Sequence, residues 1–474
     1  MPPPAKRKKA PLLISLAALI VVLLLLGGVG VYFGTRDDGP HYPKEWDSRV
    51  LDIVSFDEHE RGLTFKHPVA IEFMSEDDFK AEVTSSDEEL SADDKAQIAQ
   101  IEASYRSLGL IGGDVDLLKS ENDIKGGGTL AYYSPKDKKV RVRGTELDVA
   151  TKVTLAHELT HALQDQYYDL NRLDKMKTDG EATAFRALVE GDATTVENAY
   201  IDQLSAADKA AYEEQNKKQA DTADYGNDPQ VLVATFTSPY IVGPSFVGVL
   251  KAKGGNTAIN DALQNPPQSE AALLDIFTFL DGTAPIAVET PAVPGGDEKV
   301  DDGDFGATTW FLMLAQRLDV HEAIKAVDGW GGDSYLTYSE PDGRVCTKAR
   351  YQGKTQADTD HMYALLQQWV SQSDAESGAR ATAEGQYTDL VSCDPGKSAA
   401  LKGDDRSIEA VQMLGLRLDV VTEAFKEKAS ASLAECASNG LLDQLDLADF
   451  DPAADQDAVR AKVQAALSKS VAAC

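Results

Sequence analysis

The stretch TLAHELTHALQDQYYDL, residues 154–170, places His157 and His161 four residues apart with Glu158 beside the first. On an α-helix, residues four apart share a face, so both imidazoles can aim a ring nitrogen at one ion. Glu158 lies roughly 100° round the helix from His157. That is too far round to share the ligand geometry comfortably, but close enough to reach a water on the ion. Two neutral imidazoles and one carboxylate base are the physical content of the HExxH pattern, a zinc site suited to hydrolysis. The chain holds only seven histidines, so this spacing is rarely met by chance. Leu155, Ala156, Leu159, Ala162 and Leu163 fall on the opposite arc. The helix should therefore pack by its back and turn its polar face toward a cleft.

A catalytic zinc keeps three protein ligands and one open position. The next polar helical stretch, DGEATAFRALVEGDATTVENAY, offers Glu181 and Glu190, 20 and 29 residues after His161. Nine residues apart, they point to roughly opposite sides of one helix, so only one can face the ion. Thr183, Ala187 and Thr194 on the Glu190 face are small enough for a close approach to the histidine helix. Phe185 and Leu188 on the Glu181 face read as packing against another surface. Glu190 is the expected third ligand. Glu197, two turns on, is either a support for a ligand or a solvated charge. Gln164 and Tyr168 follow the histidines along the same face and either orient ligands, line the cleft or simply pack.

Those residues need elements to position them. Residues 61–74 contain a strand of near period two, and Ser75 is placed to cap a short helix after it. Residues 92–111 read as a helix ending near Gly109. TLAYYSPKDKKVRVRG, residues 129–144, reads as a hairpin turning at Ser134-Pro135-Lys136-Asp137. Helices follow at about 148–168 and 181–204. Residues 206–228 are polar and helical or loose, an apolar helix starts near 238, and 283–304 reads as a long proline- and acid-rich loop. Helix returns over 305–327. GWGGDSYLTYSEPDGRVCTKARY and EGQYTDLVSC read as strands around the helix HMYALLQQWV, and the last ~80 residues read mainly as helix. DDGD at Asp301–Asp304 lacks the spacing of a calcium loop and reads as solvated acid. His321, His361 and Trp330 have no distinguishing context.

The net charge of −32 over 474 residues repels phosphate backbones, so nucleic acid is not an expected partner. The N-terminus is different. Lys6, Arg7, Lys8 and Lys9 precede an uncharged run over 10–35, long enough to span a bilayer with the basic flank in the cytoplasm. A cleaved signal peptide is the rival reading, with an unusually long apolar core. Export agrees with the four cysteines, Cys346, Cys393, Cys436 and Cys474. Of their three possible pairings, chain order favours Cys346–Cys393 and Cys436–Cys474. The organisation expected is a basic tail at 1–10, a membrane helix at 11–34, a stalk at 35–50, a metal-binding unit at 51–345 and an α/β-to-helical region at 346–474. The fold class is α+β.

HELTH followed by a helical Glu-Gly-x-Ala resembles the gluzincin clan of zinc peptidases, to which thermolysin and the leukotriene-hydrolase type aminopeptidases belong. SPYIVGPSFVGVLKAKGG, residues 238–255, is similar to the Pro-Tyr-x-x-Gly stretch of those aminopeptidases. The resemblance covers about residues 130–250. It implies a zincin-like domain with a small mixed sheet, an edge hairpin and active-site helices. It also implies zinc on His157, His161 and Glu190, Glu158 as base, and Tyr240 donating to the oxyanion. A peptide would pair along the hairpin edge. One departure is clear: GGGTLAYYSPKDKKVRVRG stands where those aminopeptidases carry the glutamate that grips a free amine, and has none. An endopeptidase or narrow processing enzyme is the better expectation. The chain is also similar to exported bacterial metallopeptidases of the HELxHALQDQ type, to which RGLxFKHPV, PPQSE and GWGGDSY add without assigning chemistry. The implied whole is a membrane-anchored, outward-facing zinc peptidase acting on peptide or protein substrates. An inactive zinc- or peptide-binding envelope protein is the alternative.

Overall fold

A computed structural model describes residues 42–84, 90–222 and 228–474. The apolar N-terminal run, and with it the membrane-anchor reading, lies outside the described residues. Among those residues one helix, Gln230–Gln264, is long and apolar enough to cross a membrane, but most of its apolar window is buried inside the protein. It is a core helix that contains Pro239 and Pro244 and is kinked at Gly254–Gly255.

The α+β expectation holds. Eight strands among the described residues form two sheets. The first is small and mixed, in the order β1 (Ala70–Met74), β3 (Lys139–Arg143), β2 (Ala131–Ser134). β1 runs parallel to β3, and β2 pairs antiparallel with β3 as the expected hairpin, leaving β2 at an edge. The second is antiparallel, in the order β4 (Glu298–Gly303), β5 (Trp330–Ser339), β6 (Val345–Gly353), β8 (Tyr387–Cys393), β7 (Arg380–Glu384). β5 and β6 pair across residue 345, and one hydrophobic core runs from Leu108 to Ala466. The boundary read at 345/346 thus falls inside a sheet and a core, because the two segments share one apolar interior.

Two local differences from the sequence reading have simple causes. The acid-rich end of the 283–304 loop is an edge strand, since the β5 backbone supplies its pairing whatever its side chains prefer. The helix expected over 305–327 is two, Ala307–Ala315 and Val320–Asp328, because Asp319 accepts from the His321 and Glu322 amides and starts a new helix there. The cysteines pair as chain order favoured: Cys346 with Cys393, opposite each other on β6 and β8, and Cys436 with Cys474. His321 donates toward the Leu442 and Leu445 carbonyls, and Trp330 donates to buried Asp333. Both are structural ties.

The motif helix, Val149–Tyr168, starts at Asp148, whose side chain accepts from the Thr151 amide, and stops at Asp169 in the left-handed region. A short turn leads to the helix Asp179–Gln203, capped by Thr178. The motif helix buries Val153, Leu155, Ala156, Leu159 and Ala162 in a small core with the first sheet and the Leu51–Arg61 helix. The Asp179–Gln203 helix buries Phe185, Ala187, Leu188 and Val189 in the large core. Both of its faces are therefore packed. Besides meeting the histidine helix, this helix makes a second, tighter contact. A Cβ on Gly191 would lie 2.2 Å from the Gly243 backbone, and one on Gly243 would lie 2.3 Å from the Ala187 carbonyl oxygen. The tight approach is to the Gln230–Gln264 helix. Gly243→Ala should force these two helices apart and lower stability by about 1–3 kcal/mol, with weaker metal binding because Glu190 is displaced. Thermal unfolding with and without added zinc checks both effects.

Candidate metal centre

The centre lies on the seam between the two cores, with its histidines on a helix of the small core and Glu190 on a helix of the large one. His157 Nε2 and His161 Nε2 are 3.0 Å apart, and Glu190 Oε2 is 3.3 Å from the first and 3.2 Å from the second. These three residues form a group able to hold one metal ion. Glu181 stands apart at the helix start, where its carboxylate accepts from the Lys177 amide.

The far side of each ring is tied. His157 Nδ1 is 3.0 Å from Glu197 Oε2, and His161 Nδ1 is 2.9 Å from Gln164 Oε1. Both acceptors favour the proton on Nδ1, which leaves each Nε2 lone pair pointing into the same small space. Two lone pairs facing each other at this distance repel unless a proton or a cation lies between them. Glu190 Oε1 adds a buried acceptor with no hydrogen bond. Three convergent acceptors and outward-tied Nδ1 atoms fit a metal cation.

Without a cation the group is an ion-paired cluster. Burial opposes protonation of His157, but hydrogen bonds to Glu190 and Glu197 outweigh it and hold its pKa up at about 10. Burial likewise raises Glu190, and the two histidines outweigh it, pulling the carboxyl down to about 2. Glu158 is outside the ligand group. Burial is the main reason its pKa rises to about 7. Its Oε2 accepts from the Tyr133 amide at 2.7 Å, while its Oε1 is buried with no hydrogen-bond partner. The edge strand β2 thus touches the carboxylate that flanks the ligands.

Tyr240 is buried, with its ring stacked on His157 at a centroid distance of 6.2 Å. Its hydroxyl lies beside the Glu190 carboxylate without meeting hydrogen-bond geometry to any described residue. Burial and the nearby Glu190 carboxylate keep it protonated. Tyr168 packs in the large core and does not join the centre.

Of the roles left open for Gln164, the structure shows that of orienting His161: its Nε2 donates to the Val189 carbonyl at 3.0 Å and to Asp192 Oδ2 at 2.8 Å. Its own partners, and several other supporting residues, escaped the sequence reading. Buried Arg61 pairs with Asp192 and also reaches Asn260. Asp165 accepts from the Tyr133 hydroxyl at 2.6 Å and from Lys138, pinning the hairpin over Glu158. Gln166 holds the 66–67 backbone. A run of three polar residues, Gln164-Asp165-Gln166, in the last turns of a mostly buried helix was the available signal, since buried polar groups need partners. Replacing Gln164 with Met should leave Asp192 and the His161 Nδ1–H underbonded and weaken metal binding about 10–100-fold. Competition with a chromophoric chelator measures that ratio.

The polar face is not turned to an open cleft. His157, Glu158, His161 and Glu190 are between 0% and 4% exposed. The Leu51–Arg61 helix, β2 and the Asp179–Gln203 helix pack around the motif helix, and Tyr240 on the long helix stacks over His157. Amphipathic spacing records which residues share a face, but not whether a later helix comes to cover it.

No protein-family model, curated protein or solved structure matches this chain.

Proposed function

We propose that this protein is a zinc-dependent peptidase of the gluzincin type, with His157, His161 and Glu190 as ligands and Glu158 as general base. The observation that carries the reading is Glu158: a carboxylate beside the ligand group but outside it, with one oxygen held by the edge strand and the other free. A structural metal site has no need of such a base. Zinc on these ligands would supply Lewis acidity toward a water and a peptide carbonyl. Glu158 Oε1, the oxygen left unbonded, would take the water's proton and deliver it to the leaving amine. The Tyr240 hydroxyl, protonated and beside the Glu190 carboxylate, would turn from that ligand to donate to the oxyanion. An extended peptide would pair along the edge strand β2 beside Glu158, displacing what now buries residues 131–133. The two disulfides support export, and with the N-terminal apolar run they support a membrane-anchored protein whose catalytic part lies outside the cell.

The burial of the ligands favours a second reading, a closed zinc site that stabilises the fold or holds a peptide without cleaving it. One experiment separates the two. The full-length chain, purified in detergent, is assayed for bound zinc and for cleavage of a mixed peptide library before and after chelation. Stoichiometric zinc with chelator-sensitive, zinc-restorable cleavage supports the peptidase. Zinc whose removal lowers the melting temperature while no peptide is cut supports the closed site.

A further inference from the structure

A cavity of about 640 Å³ lies away from the metal centre. Its walls are the helix Ala92–Ser107, the face of β5 and β6, the end of β4 and the first turns of the Asp179–Gln203 helix. Five carboxylates line it: Asp93, Asp179, Glu270, Asp301 and Asp304. Among the described residues no lysine, arginine or histidine does.

These acids are not a uniformly solvated face. Asp179 and Asp301 stand exposed at the mouth, whereas Glu270 is only 6% exposed. Glu270 accepts from the Thr308 amide at 2.6 Å and forms no ion pair with any described residue. Burial raises its pKa to about 7, and the acids around it add to the shift. The carboxyl of Asp179, half-enclosed although the residue as a whole is exposed, is raised by that desolvation and then by Asp304 and Asp301. A buried carboxylate without a counter-ion, at the inner end of a chamber large enough for a small molecule, is costly unless something positive enters.

We propose that this cavity binds an organic cation, an ammonium or guanidinium group carried on a chain of several carbons. A compact metal ion does not fit the geometry. No three of these carboxylates bring ligand atoms within 4.8 Å of one another, as the metal ligands do elsewhere in the chain. The negative charge is spread from mouth to floor, which matches an elongated cation with more than one charged end. The rings of Tyr105, Phe305 and Tyr335 line the same space and offer faces to a cation or its alkyl stem. Ser104, Thr337 and Thr347 add polar atoms on the sheet side. Two sources share this chemistry: a free polyamine, or a lysine or arginine side chain of a peptide. Thr183 lines the cavity and lies two turns before Glu190 on the same helix, roughly 10 Å along its axis. The cation site does not depend on the metal reading.

The test is isothermal titration calorimetry on the full-length chain in detergent, with spermidine in one arm and short lysine- or arginine-containing peptides in the other. A neutral peptide of the same length and magnesium chloride at matched ionic strength serve as controls. One-to-one binding of spermidine or of the basic peptide, weakened about tenfold or more by Glu270→Gln and by Asp304→Asn and unchanged by the distant Glu213→Gln, is the expected result. The arm that binds identifies the source. Should Glu270→Gln fail to fold, Asp304→Asn, on a half-exposed residue, carries the same comparison. No binding in either arm overturns the proposal. So does binding that Glu213→Gln weakens equally or that magnesium chloride abolishes, since either means diffuse attraction to an acidic surface. Each outcome is read without reference to zinc content or peptide cleavage, so failure here and failure of the peptidase reading remain distinguishable.

Discussion

Glu158→Gln should retain one bound zinc and lose peptide hydrolysis by about a thousandfold, within the range a positioned general base contributes. The substitution keeps shape and volume at a fully buried position. Its amide can still offer an oxygen to the Tyr133 N–H, so the contact between the motif helix and β2 survives. What is lost is a group able to accept a proton. Because Glu158 is not among the residues that converge on the cation, metal content should not change. Zinc stoichiometry and single-turnover cleavage on the same preparation check both halves. If zinc is retained and cleavage is undiminished, Glu158 is not the base. If zinc is lost, the division of roles between Glu158 and Glu190 is wrong.

Glu190→Gln is expected to do the reverse, weakening zinc binding by more than about 100-fold, beyond what the loss of a supporting hydrogen bond costs. A neutral amide is a poor ligand for zinc, and it also removes the charge that holds both imidazoles together. The lowered pKa of Glu190, drawn down by the two histidines against its own burial, reports the same coupling. In the metal-free protein that carboxyl sits below its ordinary value. Its contribution to stability is therefore present above about pH 4.5 and disappears as pH falls toward 2. Glu190→Gln should remove that acid-side dependence. Glu181→Gln, at the partly exposed start of the same helix, should alter neither property. Zinc competition titrations and acid unfolding of the apo proteins read the difference. Equal losses from both substitutions would mean that the whole helix, and not one ligand, was disturbed.

Much of the candidate centre was written in local sequence because its geometry is local. His157 and His161 meet on one face through the 3.6-residue repeat alone, whatever surrounds the helix. The same repeat shows that Glu181 and Glu190 cannot both reach one ion. The β2–β3 hairpin and the start of the motif helix are likewise local, resting on a short turn and on Asp148. Cysteine order anticipated both disulfides.

What the sequence by itself determined, then, is the contents of single elements: an HExxH helix, a following helix with two alternative glutamates, a hairpin and an α+β composition. Tertiary structure decided how those elements face one another. It placed Glu190 beside both histidines and Glu181 apart from them, and it packed Gly191 of the same helix against Gly243 on a third helix. It linked Gln164 to Asp192 and Arg61 across more than a hundred residues of chain. It closed the polar face that amphipathic spacing had left open. It also gathered Asp93, Asp179, Glu270 and Asp304 around one chamber, from segments with no common periodicity. Backbone geometry propagates only as far as its own element continues. Beyond that, the facing of two elements depends on how their side chains interlock, and no spacing within either one records it.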